Sequence, residues 1–239
     1  MMYNRTILVV VPARGGSKGV PLKNIQPVRG APLVALVGRV VEQLPYVDRA
    51  VVSTDHPDIA QIAQEAGLAA PFLRPEAISG DIIGDWDVLH HALLAVEELD
   101  ARRYDVVLML QPTCPLRRPE HVTQCLEKLM AGGYDAVWTV SETDSKGHPL
   151  KQLVLKDDVM DYYNPQGAKI IARQQLTPVY HRNGAAYAIT RECLVEKKSI
   201  KGDRASAVVL TDPLISIDTR FDFDLCEFYL DKYYQGKLF

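Results

Sequence analysis

The chain has 239 residues and a formal net charge of -3, and its size suits a single large α/β domain with a substantial core. This charge gives no reason to expect a nucleic-acid partner, and the apolar run at 7–11 is too short to cross a membrane. Four scattered cysteines without a C-x-x-C pair, and the lack of a signal-peptide pattern, predict free thiols in a soluble cytoplasmic protein.

Strand-like and helix-like segments alternate along the first part of the chain. The β-branched run at 7–11 predicts a strand buried on both faces, and the helical spacing of apolar residues at 32–44 predicts a helix after it. The alternation continues with predicted strands at 50–53, 106–110 and 136–140 and predicted helices at 57–66, 86–99 and 120–130. This order predicts a three-layer, mostly parallel, Rossmann-like α/β sheet with right-handed crossovers.

After Val140 the sequence changes in character. Residues 141–180 are polar and irregular, which predicts an insertion within a single domain that spans 1–239. A structureless surface loop is the alternative, but about forty residues without structure are unusual in a compact domain. The chain then returns to predicted strands at 185–190, 207–210 and 214–217, and it closes with a predicted helix at about 222–233.

The loop at 12–24 carries three cations and three glycines directly after the first predicted strand. Glycines allow several backbone N–H groups to face one anion, and Arg14, Lys18 and Lys23 supply the charge that a triphosphate needs. The spacing fits neither G-x-x-x-x-G-K-[ST] nor G-x-G-x-x-G. A solvated basic turn is the alternative. We interpret the loop as a phosphate-binding loop at the carboxyl end of a strand.

Several motifs elsewhere in the chain accompany this loop. They are Leu-Gln-Pro-Thr-Cys-Pro-Leu-Arg at 110–117, Arg-Asn-Gly-Ala-Ala-Tyr at 182–187, Leu-Arg-Pro at 73–75 and Ile-Asp-Thr at 217–219. Together they make the chain resemble the bacterial CMP-N-acetylneuraminate synthetases, or acylneuraminate cytidylyltransferases, from about residue 7 to residue 225. The resemblance implies a nucleotidyltransferase that transfers CMP from CTP to the anomeric hydroxyl of a sialic-acid-like nonulosonic acid and releases pyrophosphate.

The resemblance also implies which residues bind the nucleotide. They are Ala13, Arg14, Gly15, Gly16, Ser17, Lys18, Lys23, Asn24 and Arg74. Arg14 and Lys18 would hold the β and γ phosphates, whereas Lys23 would face the α-phosphate, where negative charge shifts during attack. Arg14, Lys23 and Asp218 are the implied catalytic residues. A solvated lysine and a structural ion pair are the alternative interpretations of Lys23 and Arg74.

For the sugar, the resemblance implies a second set of residues: Gln111, Lys151, Arg173, Gln174 and Asn183. The fork of Arg173 suits a carboxylate, whereas a buried Asn183 that serves only its own turn is the alternative for that residue. Cys114 is a poor candidate for a nucleophile because no paired base is visible. In the family, the segment equivalent to 141–180 is a small lobe that reaches over a partner's active site, so the resemblance implies a homodimer.

Magnesium is the cofactor that the resemblance implies, with Asp218 as the first ligand and Asp222 as the second. The family pattern Asp-Ile-Asp-Thr is altered here, since Ser216 replaces its first aspartate. A helix cap is the alternative role of Asp222. The acid itself stays open between N-acetylneuraminate and legionaminic acid. The alternative enzymes are a CMP-pseudaminate or a CMP-3-deoxy-octulosonate synthetase, and the alternative class is a non-catalytic nucleotide- or sugar-binding module.

Overall fold

Strands and helices alternate along the computed structural model, which describes residues 2–239. The strands in this range are β1 (Ile7–Pro12), β2 (Pro27–Val28), β3 (Ala31–Pro32), β4 (Arg49–Ser53), β5 (Val106–Met109), β6 (Ala136–Glu142), β7 (Leu153–Lys156), β8 (Val159–Tyr162), β9 (Tyr180–Thr190) and β10 (Ala205–Val209). The α-helices are α1 (Leu33–Glu42), α2 (Pro57–Glu65), α3 (Asp85–Asp100), α4 (Pro119–Gly132), α5 (Arg191–Val195) and α6 (Arg220–Tyr234).

A six-stranded sheet forms the centre, in the order β10-β6-β9-β5-β1-β4. The pairs β1–β4, β1–β5 and β6–β10 are parallel, whereas β9 runs antiparallel to both β5 and β6. The prediction of a mostly parallel α/β sheet is therefore confirmed. Since β9 runs against its neighbours, its first residues lie at the same edge of the sheet as the carboxyl end of β5.

Helices cover both faces of the sheet and make three layers. Alternate residues of β1 point to opposite faces, so Val9 packs with side chains of α1, α2 and α4, while Val10 packs with side chains of α3 and α5. All residues from Ile7 to Val11 are fully buried, as expected of a central strand covered on both sides. Helix α6 packs on α1 in a separate cluster that includes Leu33 and Leu230.

One sequence expectation differs from the structure near the end of the chain. Residues 214–217 are not a strand, because the Ile217 amide donates to the Thr113 carbonyl at 2.8 Å and so pairs with a loop. Ile215 and Ile217 pack under α6, which explains their apolar character. The four cysteines are free, as predicted, and the structure buries all of them. Within residues 2–239, no helix combines the length and apolar character needed to span a membrane.

The segment 141–180 contains a β-hairpin that the sequence analysis missed. Strands β7 and β8 pair antiparallel through Asp157 and Asp158, whose φ angles of 51° and 66° are typical of a type I′ hairpin turn. All residues of both strands are exposed, so neither strand shows the alternation that identifies a half-buried strand. Short 3₁₀ turns at Pro149–Lys151, Pro165–Lys169 and Arg173–Gln175 complete the segment, which we call the arm.

Candidate active site

A cleft of about 480 Å³ opens where the parallel strands β1, β4 and β5 end. In an open α/β sheet this edge is where ligands bind. The cleft brings together eight residues that were predicted to bind substrates or a metal ion: Arg14, Ser17, Lys18, Lys23, Asn24, Arg74, Gln111 and Asp218. These residues come from the loops after β1 and β5, from the segment that follows β4 and from the chain before α6. The structure therefore places motifs that are far apart in sequence in one site.

The loop after β1 is held by backbone and side-chain hydrogen bonds. The Ala13 amide donates to the Ser53 carbonyl at 2.9 Å, which ties the loop to β4. The Gly15 amide donates to Asp55 Oδ1 at 2.8 Å, and the buried Asn24 donates its Nδ2–H to the Arg14 carbonyl at 2.9 Å. Gly16 lies in the same loop, and a Cβ there would have no neighbour within 4 Å. Asn24 thus supports the backbone of the predicted phosphate loop.

Gly19 sets the distance between this loop and Asp218. A Cβ at Gly19 would lie only 2.3 Å from the Asp218 carbonyl oxygen, so the close approach of the two backbones requires a glycine. Gly19 belongs to the recognised motif but was not among the predicted nucleotide ligands. Its neighbour across the contact is in the loop before α6, which no local pattern in the sequence could reveal.

Asp81 pairs with two of the predicted phosphate ligands. Arg14 Nη1 lies 2.5 Å from Asp81 Oδ1, and Lys18 Nζ lies 2.5 Å from Asp81 Oδ2. Hydrogen bonds from Lys18 and Arg14 hold the pKa of Asp81 below its ordinary value. Asp81 was not predicted as a site residue, because a single aspartate in the segment before α3 carries no recognisable pattern. An incoming triphosphate would have to exchange with this carboxylate.

Lys23 pairs with Asp218 in the cleft. Its Nζ donates to the Ile217 carbonyl at 2.7 Å and to Asp218 Oδ1 at 2.8 Å. The Lys23 side chain is only 14% exposed, whereas the Asp218 side chain is 73% exposed. Lys23 is thus a positioned cation and not a solvated lysine, and the Asp218 carboxylate faces the open cleft.

Arg74 is buried at the end of β4. Its Nε donates to Ser53 Oγ at 3.1 Å, its Nη2 donates to the Ser53 carbonyl at 2.5 Å, and its amide donates to the Thr54 carbonyl at 2.7 Å. Burial lowers the pKa of Arg74, and the nearby charge of Asp55 opposes that effect. The hydrogen bonds of Arg74 therefore go to neutral groups, which leaves its positive charge available to an anion in the cleft.

Asp222 caps α6 in this structure. Its Oδ2 accepts hydrogen bonds from the Asp218 amide at 2.9 Å, the Thr219 amide at 2.7 Å and the Thr219 hydroxyl at 2.9 Å. Burial raises the pKa of Asp222, but these hydrogen bonds outweigh it and the pKa lies below its ordinary value. Capping of α6, the alternative role of Asp222, therefore uses Oδ2, which is one of its two carboxylate oxygens.

The acidic residues of the cleft suit a magnesium ion that takes most of its ligands from substrate phosphates and water. Within residues 2–239 there is no group of three or more His, Cys, Asp or Glu side chains that could hold a metal ion. Magnesium usually binds through one or two carboxylates, with substrate phosphates and water as its other ligands. The exposed carboxylate of Asp218 satisfies that requirement.

The predicted sugar ligands divide into two groups. Gln111 lines the cleft, and Asn183 is buried beside it. Asn183 Oδ1 accepts hydrogen bonds from the Ala185 amide at 3.1 Å and from the Thr139 hydroxyl at 2.7 Å, so it supports its own turn and ties that turn to β6. The others lie exposed in the arm and outside the residues that line the cleft: Lys151, Arg173 and Gln174.

Arg117 is a structural residue of the site that the sequence analysis missed. This buried guanidinium donates to the carbonyl oxygens of Gln111, Gly184 and Ala185, and so joins the loop after β5 to the turn within β9. Arginine is rarely buried, so composition gave no signal for this role. The nearby Cys114 thiol is fully buried, and burial raises its pKa to about 11, which disfavours the thiolate that a nucleophile needs.

Comparisons with known proteins show the family of this chain. A family model described as Cytidylyltransferase matches residues 8–236. The chain belongs to the cytidylyltransferase family. A CMP-N,N'-diacetyllegionaminic acid synthase of Legionella pneumophila is 32% identical to it, over 92% of this chain and 94% of that protein. N-acylneuraminate cytidylyltransferase A of Danio rerio is 30% identical, over 92% of this chain and 49% of the longer zebrafish protein. The predicted family resemblance is therefore confirmed.

A solved structure shows the same fold. A CMP:2-keto-3-deoxy-manno-octonic acid synthetase in complex with CTP superimposes with a TM-score of 0.68, covering 96% of this chain and 99% of that one at 19% identity. This cytidylyltransferase is accordingly a nucleotidyltransferase with the fold that was predicted. Its cleft concentrates cations and has no activated nucleophile among the described residues. That charge distribution suits direct displacement at a phosphate without a covalent enzyme intermediate.

Proposed function

We propose that this cytidylyltransferase transfers CMP from CTP to the anomeric hydroxyl of a sialic-acid-like nonulosonic acid, of the N-acetylneuraminate or legionaminic acid type, and releases pyrophosphate. The observation that carries the proposal is the convergence of Arg14, Lys18, Lys23, Arg74 and Gln111 in one cleft at the carboxyl edge of the sheet. The two relatives, at 32% and 30% identity, are a diacetyllegionaminic acid synthase and an N-acylneuraminate cytidylyltransferase, which supports an acid of this class.

In nucleotidyl transfer, different cations of the cleft would contact different phosphates of CTP. In the proposed reaction the anomeric oxygen attacks the α-phosphorus of CTP, and the bond to the β-phosphate oxygen breaks. Arg14, Lys18 and the loop amides would hold the β and γ phosphates, after Asp81 gives up its two ion pairs. Lys23, fixed beside Asp218, would offset the charge that develops at the α-phosphate.

Magnesium is the proposed cofactor. Asp218 would hold it through a carboxylate that is 73% exposed, and Asp222 is the second candidate through the oxygen that is not used for capping. When bound, the ion neutralises phosphate charge as pyrophosphate departs. Ser216 contributes no charge, so this site relies on fewer carboxylates than the Asp-Ile-Asp-Thr pattern would provide.

We also propose that the protein is a single domain that forms a homodimer through the arm. The hairpin of β7 and β8 and the residue that follows it expose a set of apolar side chains: Leu153, Val154, Leu155, Val159, Met160, Tyr162 and Tyr163. A lone two-stranded hairpin is marginal in water, and such an apolar surface favours cover by another chain. In a dimer the arm would deliver Lys151, Arg173 and Gln174 to the partner's cleft, which explains why they lie away from their own.

The proposed function is tested by a pyrophosphate-release assay with CTP, magnesium and a panel of acids. The panel contains N-acetylneuraminate, N,N'-diacetyllegionaminate, pseudaminate and 3-deoxy-octulosonate. Release with one of the first two, and at least tenfold slower release with the last two, supports the proposal. The highest rate with pseudaminate or 3-deoxy-octulosonate contradicts the proposed acid. Binding of CTP by calorimetry without release for any acid contradicts catalysis and favours a binding module.

A further inference from the structure

Strand β9 contains a bulge that lies beside the cleft. Trp138 pairs with Tyr187 and Val140 pairs with Arg182, so two steps along β6 correspond to five steps along β9. The extra residues form a turn in which Gly184 adopts a φ of +75°. Bulges of this kind re-aim side chains and are frequent next to active sites. Here the bulge folds Arg182 back toward Tyr187.

The bulge places the Arg182 guanidinium over two aromatic rings. Its Cζ lies 4.9 Å from the centroid of the Trp138 ring and 4.8 Å from that of the Tyr187 ring. A guanidinium held over aromatic faces is oriented before any ligand arrives, and it loses little freedom on binding. The side chain is nevertheless 41% exposed, so the guanidinium remains accessible to a ligand.

The partner of Arg182 is a carboxylate that lines the cleft. Arg182 Nη2 donates to Asp85 Oδ2 at 2.6 Å, and Asp85 lies at the amino end of α3. A partly exposed ion pair of this kind contributes little to stability, so stability alone does not explain the prepared guanidinium. The fork of an arginine matches any carboxylate, including one on a substrate.

The bulge also contacts Gln111, one of the residues predicted to bind the sugar. The backbone N–H of Gln111 donates to the Gly184 carbonyl at 3.4 Å, and a Cβ at Gly184 would lie 2.7 Å from Gln111 Oε1. Gln111 and Asp85 both line the cleft. Arg182 is therefore next to the part of the site where the sugar acid is expected. It lies in β9 and not in the arm, so it serves the cleft of its own chain.

We propose that Arg182 binds the carboxylate of the sugar acid, and that Asp85 pairs with the guanidinium until the substrate carboxylate displaces Asp85 from it. The inference rests on the proposed function, since it concerns the second substrate of the same reaction. It assigns to Arg182 a role that the sequence analysis gave to Arg173. In this exchange the guanidinium stays paired with one carboxylate, and the released Asp85 carboxylate is left to water in the cleft.

The test uses pyrophosphate release by the full chain with the acid of the panel that gives the highest rate, and with its C1 carboxamide. The wild type is expected to prefer the acid. Arg182→Gln is expected to raise KM for the acid at least tenfold and to reduce the preference for acid over amide at least tenfold. The KM for CTP should change less than twofold. Unchanged preference in Arg182→Gln overturns the inference.

Two further variants protect this test from loss of folding. Arg204→Gln is the matched control, because Arg204 lies 5.2 Å from the Tyr134 ring in a similar cation–π contact at the opposite edge of the sheet. It should keep the wild-type preference. Arg182→Lys keeps the charge but lacks the fork, and should show a partial loss. If Arg182→Gln does not fold, wild-type preference in Arg182→Lys overturns the inference.

Failure of the proposed function would be distinguishable from failure of this inference. If the wild type releases no pyrophosphate with any acid, the proposed reaction is wrong. The inference is then decided by calorimetric titration of N-acetylneuraminate and its C1 carboxamide into the wild type and Arg182→Gln. A loss of acid binding of at least tenfold in the variant supports it. Equal affinity of the two proteins, or no binding by either, overturns it.

Discussion

Replacement of Gly19 by alanine gives a direct test of how the phosphate loop and Asp218 are held together. The new Cβ would lie 2.3 Å from the Asp218 carbonyl oxygen, whereas ordinary contacts begin near 3.4 Å. The two backbones would have to separate by about 1 Å. Neither partner is a flexible side chain, so the strain cannot be relieved by a rotamer change.

This displacement moves a proposed metal ligand away from the loop that holds the triphosphate. A 1 Å misplacement of catalytic groups can cost about 100-fold in rate, so we expect kcat/KM in the pyrophosphate-release assay to fall by about that factor. Overpacking of this kind costs about 1–3 kcal/mol, which corresponds to a Tm lowered by roughly 2–12 °C. Thermal unfolding and kinetics should be measured on the same preparation.

Gly84→Ala is the control for this experiment. Gly84 precedes α3 with a φ of -75°, and a Cβ there would meet its nearest atom at 3.6 Å, an ordinary contact. We expect its kcat/KM to stay within threefold of the wild type. Wild-type activity and Tm in Gly19→Ala would refute the close-approach argument. An equal loss in Gly84→Ala would show that the loss is not specific to the contact with Asp218.

Three further predictions concern charges. Lys23→Ala should lower kcat by about 100- to 1,000-fold in the pyrophosphate-release assay with little change in Tm, and near-normal turnover would remove Lys23 from the mechanism. Asp81→Asn should tighten CTP binding in calorimetry, because the carboxylate no longer competes for Arg14 and Lys18, whereas Asp87→Asn should not; weaker binding in Asp81→Asn would contradict competition. Hydrogen bonds from the Arg204 amide and Lys197 lower the pKa of Asp135 to about 2 from 3.8, so its contribution to stability is present above pH 3.8 and is lost as the pH falls toward 2. Urea unfolding between pH 2 and 5 should show a weaker pH dependence in Asp135→Asn, and an identical dependence would contradict this assignment.

The sheet was largely predictable because its strands are buried on both faces. The runs at 7–11 and 106–110 are continuously apolar, and the structure places them side by side in parallel. The antiparallel direction of β9 was not predictable, since strand direction depends on where the chain crosses over and not on local composition. The hairpin in the arm was missed for a related reason, because exposed strands have no buried face to produce a pattern.

The site was predictable to the extent that its motifs are local. The glycine-rich loop carries glycines and cations within a few positions, the segment at 110–117 carries two prolines beside Gln111, and both reach the cleft. The residues that complete the site do not have that property. Asp81, Asp85 and Arg117 act through partners from 67 to 97 positions away, so their roles depend on the assembled sheet.

The ion pairs of the cleft suggest a single principle for how this enzyme accepts two anions. Asp81 pairs with Arg14 and Lys18, Asp218 pairs with Lys23, and Asp85 pairs with Arg182, so these cations already hold a carboxylate in the absence of substrate.

An unpaired cation at a partly buried site is costly, and these aspartates remove that cost in the free enzyme. Each substrate anion then replaces an internal one, so affinity reflects the difference between two ion pairs and not the full strength of one. Neutralising one aspartate should consequently strengthen binding only of the anion that shares its cation. Asp81→Asn should favour CTP, and Asp85→Asn should favour the sugar acid, as separate calorimetric titrations with each ligand would show. If both variants tightened both ligands equally, the effect would come from net charge, and the pairwise exchange would be wrong.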